Sequence, residues 1–148
     1  MSVARDLLDG RVTLAELRGY HPSAIAALCH DALALHENGR TDEAMVMLRG
    51  LRALEPANVQ VLRLLGLILT ERGAHREALG YLDDALRASP SDARLRVARA
   101  RLRLQLGDGR GAGADLRIAC DQADGPGGQH AALFLKKIMA EAATPRPL

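Results

Sequence analysis

The sequence predicts an all-α protein made of repeated helical hairpins, and three observations carry that prediction. Leu and Ala each occur 26 times in the 148 residues, and both residues favour helices. The chain has no Trp, one Phe and two Tyr, which argues against the aromatic-rich strands of a β-sandwich or barrel. Similar residues also recur every 34 positions, a spacing typical of stacked helical repeats.

Five series of equivalent positions carry the 34-residue period. They are Gly39, Gly73 and Gly107; Ala44, Ala78 and Ala112; Leu48, Leu82 and Leu116; Pro56 and Pro90; and Leu51, Ala85 and Ala119. The series predict a repeat region over 23–126, with three units at about 25–58, 59–92 and 93–126. Within each unit, the small Ala lets two helices approach closely and the Leu fills the space beneath.

The N-terminal segment, residues 1–22, precedes the repeats and contains a predicted short helix. Thr13 and Glu16 stand three residues apart, which is the spacing of a capping box. We expect the helix to follow Thr13 directly and to end near Gly19, because glycine readily adopts the positive φ that follows a helix.

Each repeat is predicted as helix, tight turn and helix. In the first unit, Ser23 is expected to cap a helix that runs to about Asn38, and Gly39 supplies the turn. Thr41 and Asp42 are the expected caps of the second helix, which Pro56 prevents from continuing. The second unit repeats this plan, with Asn58 as the cap of its first helix.

The C-terminal segment, residues 127–148, is predicted as a capping helix and a frayed tail. The glycines around Pro126 are expected to break the third unit, so the helix should run from Gln129 to about Ala143. Its predicted apolar stripe consists of Ala132, Leu135, Ile138, Met139 and Ala142. This helix would cover the exposed end of the repeat stack.

Composition and motifs exclude most chemistry. The formal charge is only +2 and aromatic residues are scarce, so neither nucleic acid nor a membrane surface is an expected partner. No segment resembles a signal peptide or a membrane span, which predicts a cytoplasmic protein. The five His and two Cys do not stand at metal-ligand spacing, and no catalytic arrangement or phosphate loop is present. We therefore expect no cofactor, no metal and no enzymatic activity.

The second unit resembles the tetratricopeptide repeat. Its matching residues are Leu62, Leu65, Gly66, Leu69, Gly73, Ala78, Tyr81, Leu82, Ala85 and Pro90. This resemblance implies a right-handed α-solenoid. The order of a short N-terminal helix, three repeats and one closing helix further resembles the class II translocator chaperones of bacterial type III secretion.

That narrower resemblance implies a binding role. Family members hold hydrophobic translocator subunits through an extended segment, which lies in a concave groove formed by the first helices of the repeats. The corresponding candidates in this chain are Cys29, Leu33, His36, Arg63, Leu67, Thr70, Arg94, Val97, Arg101 and Leu104. The resemblance also implies that the N-terminal segment pairs two copies, with Leu7, Leu8, Leu14 and Leu17 as contacts. The alternative role for these four leucines is packing onto the first hairpin.

Two further alternatives stay open at this stage. A general tetratricopeptide scaffold that joins cytosolic proteins would have the same groove, and an enzyme or enzyme subunit is the least supported alternative.

The third unit departs from the repeat pattern, because Arg96, Arg99 and Arg103 occupy normally apolar positions. Its first helix would therefore be rotated or partly exposed, with its arginines either solvated or directed into the groove.

Overall fold

The computed structural model describes residues 13–122 and 126–143, and that part of the chain contains helices and no strand. The helices are α1 (Leu14–Leu17), α2 (Pro22–Glu37), α3 (Thr41–Leu54), α4 (Val59–Glu71), α5 (His75–Ala88), α6 (Ala93–Gln105), α7 (Gly109–Asp121) and α8 (Pro126–Ala143). The predicted all-α fold is confirmed. The chain divides into two compact units, unit 1 over Met1–Ala88 and unit 2 over Ser89–Leu148.

Helix caps follow the sequence prediction at two of four positions. Thr13 and Glu16 form the predicted capping box at α1, and Asn58 Oδ1 accepts a hydrogen bond of 3.1 Å from the Val61 N–H at α4. The predicted cap Ser23 is wrong, because the cap of α2 is His21, whose Nδ1 accepts from the Ser23 N–H at 3.2 Å. The predicted caps of α3 are also wrong, since that helix begins at Thr41 without a side-chain cap.

The core of unit 1 is built from the predicted small and large positions. Ala44 and Leu48 on α3, and Ala78 and Leu82 on α5, are buried. The turns between the paired helices contain Gly39 and Gly73 with φ of 78° and 77°, a conformation that residues with a Cβ rarely adopt. The two hairpins of unit 1 are thus α2–α3 and α4–α5.

Gly66 on α4 lies close against Leu82 of α5. A Cβ at position 66 would lie 3.1 Å from both Cγ and Cδ2 of Leu82, which is tighter than ordinary van der Waals contact. The glycine therefore serves the packing of the second hairpin and supplies no turn.

Unit 2 has its own core between α6, α7 and α8. Val97, Ala100, Ala112, Leu116, Ala119 and Ala131 form this cluster, and Phe134, Leu135 and Ile138 of α8 pack against it. The predicted stripe on α8 is partly wrong, because Ala132 and Met139 are exposed. The helix also begins at Pro126 rather than Gln129, since proline is well suited to the first helical position. The predicted tail at 144–148 lies outside the described residues.

Replacing three glycines tests this account of packing. Gly66→Val should lower the free energy of unfolding by about 1–3 kcal/mol, because the added atoms collide with Leu82. Gly50→Ala and Gly80→Ala should each raise it by about 0.5–1 kcal/mol, because both sites lie in helices and a Cβ there meets no atom within 4 Å. Thermal unfolding followed by circular dichroism measures all three. A stable Gly66→Val variant would contradict the close approach.

Candidate functional site

In unit 1, α2 and α4 lie side by side and carry the predicted binding positions. His36 Nε2 on α2 is 2.7 Å from Glu71 Oε2 on α4, and its Nδ1 is 3.0 Å from Thr41 Oγ1. A carboxylate only accepts hydrogen bonds, so Nε2 donates to Glu71. His36 therefore joins the ends of three helices besides lying at a predicted groove position.

Four of the predicted residues lie on α2 and α4 and are at least partly exposed, and we call them the unit 1 surface. Leu67 is 41% exposed, Arg63 is exposed one turn before it, and Leu33 is half-buried on α2. Thr70 Oγ1 donates to the Gly66 carbonyl at 2.7 Å, which leaves its methyl group available for contact. This surface offers two apolar side chains and one cation.

Cys29 differs from its neighbours at the predicted positions because it is 0% exposed. Burial raises the pKa of its thiol above the usual range, Glu55 raises it further and Arg63 opposes them. A buried, protonated thiol is a weak nucleophile. Cys29 thus contributes packing beneath the unit 1 surface and no contact area of its own.

In unit 2, the predicted positions on α6 are partly covered by α8. Val97 is 4% exposed within the core cluster, and Leu104 is half-buried against the same cluster. Arg94 and Arg101 are exposed. Arg101 Nη2 lies 2.8 Å from His130 Nε2, and its guanidinium carbon lies 4.7 Å from the centre of the Phe134 ring.

The remaining arginines of α6 point into unit 2 rather than to solvent. Arg99 binds Asp115 through two hydrogen bonds, Nε to Oδ2 at 2.9 Å and Nη2 to Oδ1 at 2.6 Å. Arg103 Nη1 donates to Asp115 Oδ2 at 2.9 Å, and Arg96 Nη1 lies 3.5 Å from Asp115 Oδ1. The carboxylate is only 2% exposed, so a buried charge is compensated by three cations.

Asp115 was not predicted from the sequence, although a signal was present. Arg96, Arg99 and Arg103 recur at helical spacing on the face that apolar residues normally occupy, and such a face needs a buried anion opposite it. Asp115 directly precedes Leu116, which the repeat places in the core. Leu95 and Leu102 on α6 are buried, whereas Leu106 after it is 40% exposed. Since these cations are engaged with Asp115, the open surface of α6 is left to Arg94 and Arg101.

The described residues lack two further kinds of site. Within 13–122 and 126–143, no group of three or more His, Cys, Asp or Glu could hold a metal ion. No described helix combines the length and the apolar character needed to cross a bilayer. The described surfaces are suited to contacts with another molecule through apolar and cationic side chains.

The repeat pattern places the chain in a known family. The tetratricopeptide repeat family model matches residues 32–93 and 64–128. The chain belongs to the tetratricopeptide repeat family. The two matches together extend from α2 into the residues after α7, so the repeats include most of both units. No curated protein matches the tetratricopeptide chain significantly.

Solved structures with the same fold include three of bacterial secretion proteins. The translocator chaperone SycD of Yersinia enterocolitica is 18% identical, with 84% of this chain and 97% of SycD aligned at a TM-score of 0.76. A chain from a type III secretion complex of Aeromonas hydrophila is 20% identical, with 96% of this chain and 98% of that chain aligned at a TM-score of 0.81. PcrH of Pseudomonas aeruginosa is 23% identical, with 85% of this chain and 99% of PcrH aligned at a TM-score of 0.73. These similarities establish the fold of this tetratricopeptide protein.

Asp115 is expected to be necessary for the stability of unit 2. Asp115→Asn would leave three arginines without their shared anion, which should cost about 3–5 kcal/mol. Thermal unfolding followed by circular dichroism measures the loss. Asp121→Asn is the matched control, because this carboxylate is exposed at the end of α7 and its removal should have little effect. Equal unfolding temperatures for the two variants would contradict the role of Asp115.

Proposed function

We propose that this protein is a chaperone for a hydrophobic translocator of a type III secretion system. It would bind an extended segment of that client and carry out no reaction. It would do so in the cytoplasm, before the client is exported. The observation that carries the proposal is the open first-helix surface of unit 1, which includes Leu33 on α2 and Arg63 and Leu67 on α4, in a fold shared with SycD.

Structures of similar proteins support the proposed client class. PcrH has been solved in complex with the chaperone binding region of PopD, and SycD in complex with a peptide of the translocator YopD. Both proteins are under 25% identical to this chain, so the client is carried over as a proposal. The alternative, a general scaffold for cytosolic proteins, has the same fold and differs only in its partner.

The binding chemistry follows from the exposed side chains. Alternate side chains of an extended segment point to opposite faces, so every second apolar residue could pack on Leu33 or Leu67. Burying apolar area is worth about 25 cal/mol per Å² before the cost of ordering the segment. Arg63 can donate to carbonyl or carboxylate oxygens of the client. Apolar contact would supply affinity, and the arginine would fix the orientation of the segment.

Co-expression with a translocator tests the proposal. A type III translocator co-expressed with this chain should become soluble and co-purify with it, because its apolar segments would be covered. Leu67→Arg should reduce the co-purified amount about tenfold, since it places a charge within the apolar contact. The matched control is Ile118→Arg on α7, because Ile118 is also 41% exposed but lies outside the first helices. Equal loss in both variants, or no solubilised translocator, would contradict the proposal and favour the scaffold.

We also propose that two copies pair through the N-terminal segment. Leu14 is 37% exposed on α1 while Ala15 beside it is buried, so α1 has one face packed and one apolar residue outward. Leu7 and Leu8 lie outside the described residues, as does the side chain of Leu17. Leu14→Asp should shift the mass in solution from two copies to one, measured by light scattering. A wild-type chain that is already a single copy would refute the pairing.

A further inference from the structure

The last helix, α8, takes the place of the first helix of a fourth repeat. Helices α4, α6 and α8 begin at residues 59, 93 and 126, so the steps between them are 34 and 33 residues. Within unit 1, α4 packs against both α2 and α3 of the preceding hairpin, and within unit 2, α8 packs in the same way against α6 and α7. Helix α8 is also the last helix of the described residues.

Each complete hairpin shows which face of a first helix its own second helix covers. The eighth residue of α4 is Gly66, which lies against Leu82 of α5. The fourth, seventh and eleventh residues of α6 lie against Asp115 of α7, and these residues are Arg96, Arg99 and Arg103. The covered face therefore consists of the fourth, seventh, eighth and eleventh positions.

On α8 the same four positions are exposed to solvent. They are Gln129, Ala132, Leu133 and Lys136. All four equivalents on α4 are buried, namely Leu62, Leu65, Gly66 and Leu69. Leu133 is 70% exposed and Met139, further along the same side, is 64% exposed. We call Gln129, Ala132, Leu133, Lys136 and Met139 the α8 open face.

The repeats themselves indicate what kind of element covers such a face. In both complete hairpins the covering element is an amphipathic helix, α5 on α4 and α7 on α6. The positions of the α8 open face are spaced at three and four residues, so they line one side of the helix along its length. A second helix can pack along this side with its own apolar stripe.

Two residues of the α8 open face specify the chemistry of that helix. Leu133 stands where Gly66 stands on α4, and even a Cβ at position 66 would lie 3.1 Å from Leu82. A helix that packs on Leu133 therefore needs a small residue where α5 has Leu82. Lys136 stands where Arg103 stands on α6, and the guanidinium of Arg103 donates to a carboxylate oxygen of the second helix at 2.9 Å. Charge complementarity favours a carboxylate at that place again.

We infer that the α8 open face binds an amphipathic helix of a partner protein, which completes a fourth hairpin between two chains. The bound helix has a small residue opposite Leu133 and a carboxylate opposite Lys136. Burial of Leu133 and Met139 supplies the affinity. The inference goes beyond the proposed function, because it concerns a different face and a helical segment instead of an extended one. It does not depend on a translocator.

Display of helical peptides against the full chain tests the inference. The library is an 18-residue scaffold of Ala, Glu and Lys, randomised at four positions spaced i, i+3, i+4 and i+7 on one side. Selected peptides should have Gly, Ala or Ser at one of these positions and Asp or Glu at another, and they should gain helicity on binding, measured by circular dichroism. Leu133→Ser should raise the Kd of the best peptide about tenfold, because apolar contact area is lost.

Reversing one charge tests the predicted carboxylate separately. Selection against Lys136→Glu should replace the acid of the peptides by Lys or Arg, since the preferred charge is reversed. The exposed side chains of Leu133 and Lys136 can be replaced without disturbing the core of unit 2, and thermal unfolding checks this for each variant.

Matched controls come from α7 in the same unit. Ile118→Ser and Arg117→Glu replace exposed residues outside the α8 open face, so Kd should stay within about twofold of wild type and acids should still be selected. No selected peptide, no gain of helicity, an acid preference that persists in Lys136→Glu, or equal loss in Leu133→Ser and Ile118→Ser would each overturn the inference. A Leu133→Ser chain with half the wild-type mass by light scattering would assign the face to a second copy and overturn it as well.

Discussion

The close packing of two helices within each hairpin is the constraint on which the rest of the structure depends. Alanine at the crossing point and leucine beneath it, as at Ala78 and Leu82, allow the second helix to cover one side of the first. Gly66 extends this approach, because even a methyl group there would press on Leu82. The side of α4 that this packing does not cover carries Arg63 and Leu67, so the open surface is a consequence of how the hairpin closes.

The two units meet this constraint by different means. Unit 1 fills its first helices with aliphatic side chains, such as Leu62 and Leu65 on α4, whereas unit 2 has three partly buried arginines around one buried aspartate. A buried ion cluster contributes less net stability than aliphatic packing of the same volume, because each charge loses its hydration. Its stringent geometry nevertheless fixes the rotation of α6, and that rotation determines which side Arg94 and Arg101 occupy.

Much of the fold could be predicted from the sequence, because glycine turns and small residues recur at a constant period. Prediction failed where a residue acts through an unusual partner. His21 caps α2 through a ring nitrogen, although histidine is not among the preferred cap residues. Asp115 looks like a surface residue until three arginines are placed around it. Cys29 and Val97 stand at positions that the repeat numbering assigns to the groove, but neighbouring helices bury both side chains.

The central claim is that the open faces of the first helices hold a polypeptide. The most direct measurement is site-specific photo-crosslinking, with benzoylphenylalanine placed at position 67 or at position 118 and a translocator expressed in the same cells. The account predicts a crosslinked product from position 67 and none from position 118. Equal crosslinking from the two positions, or a product from position 118 alone, would contradict it.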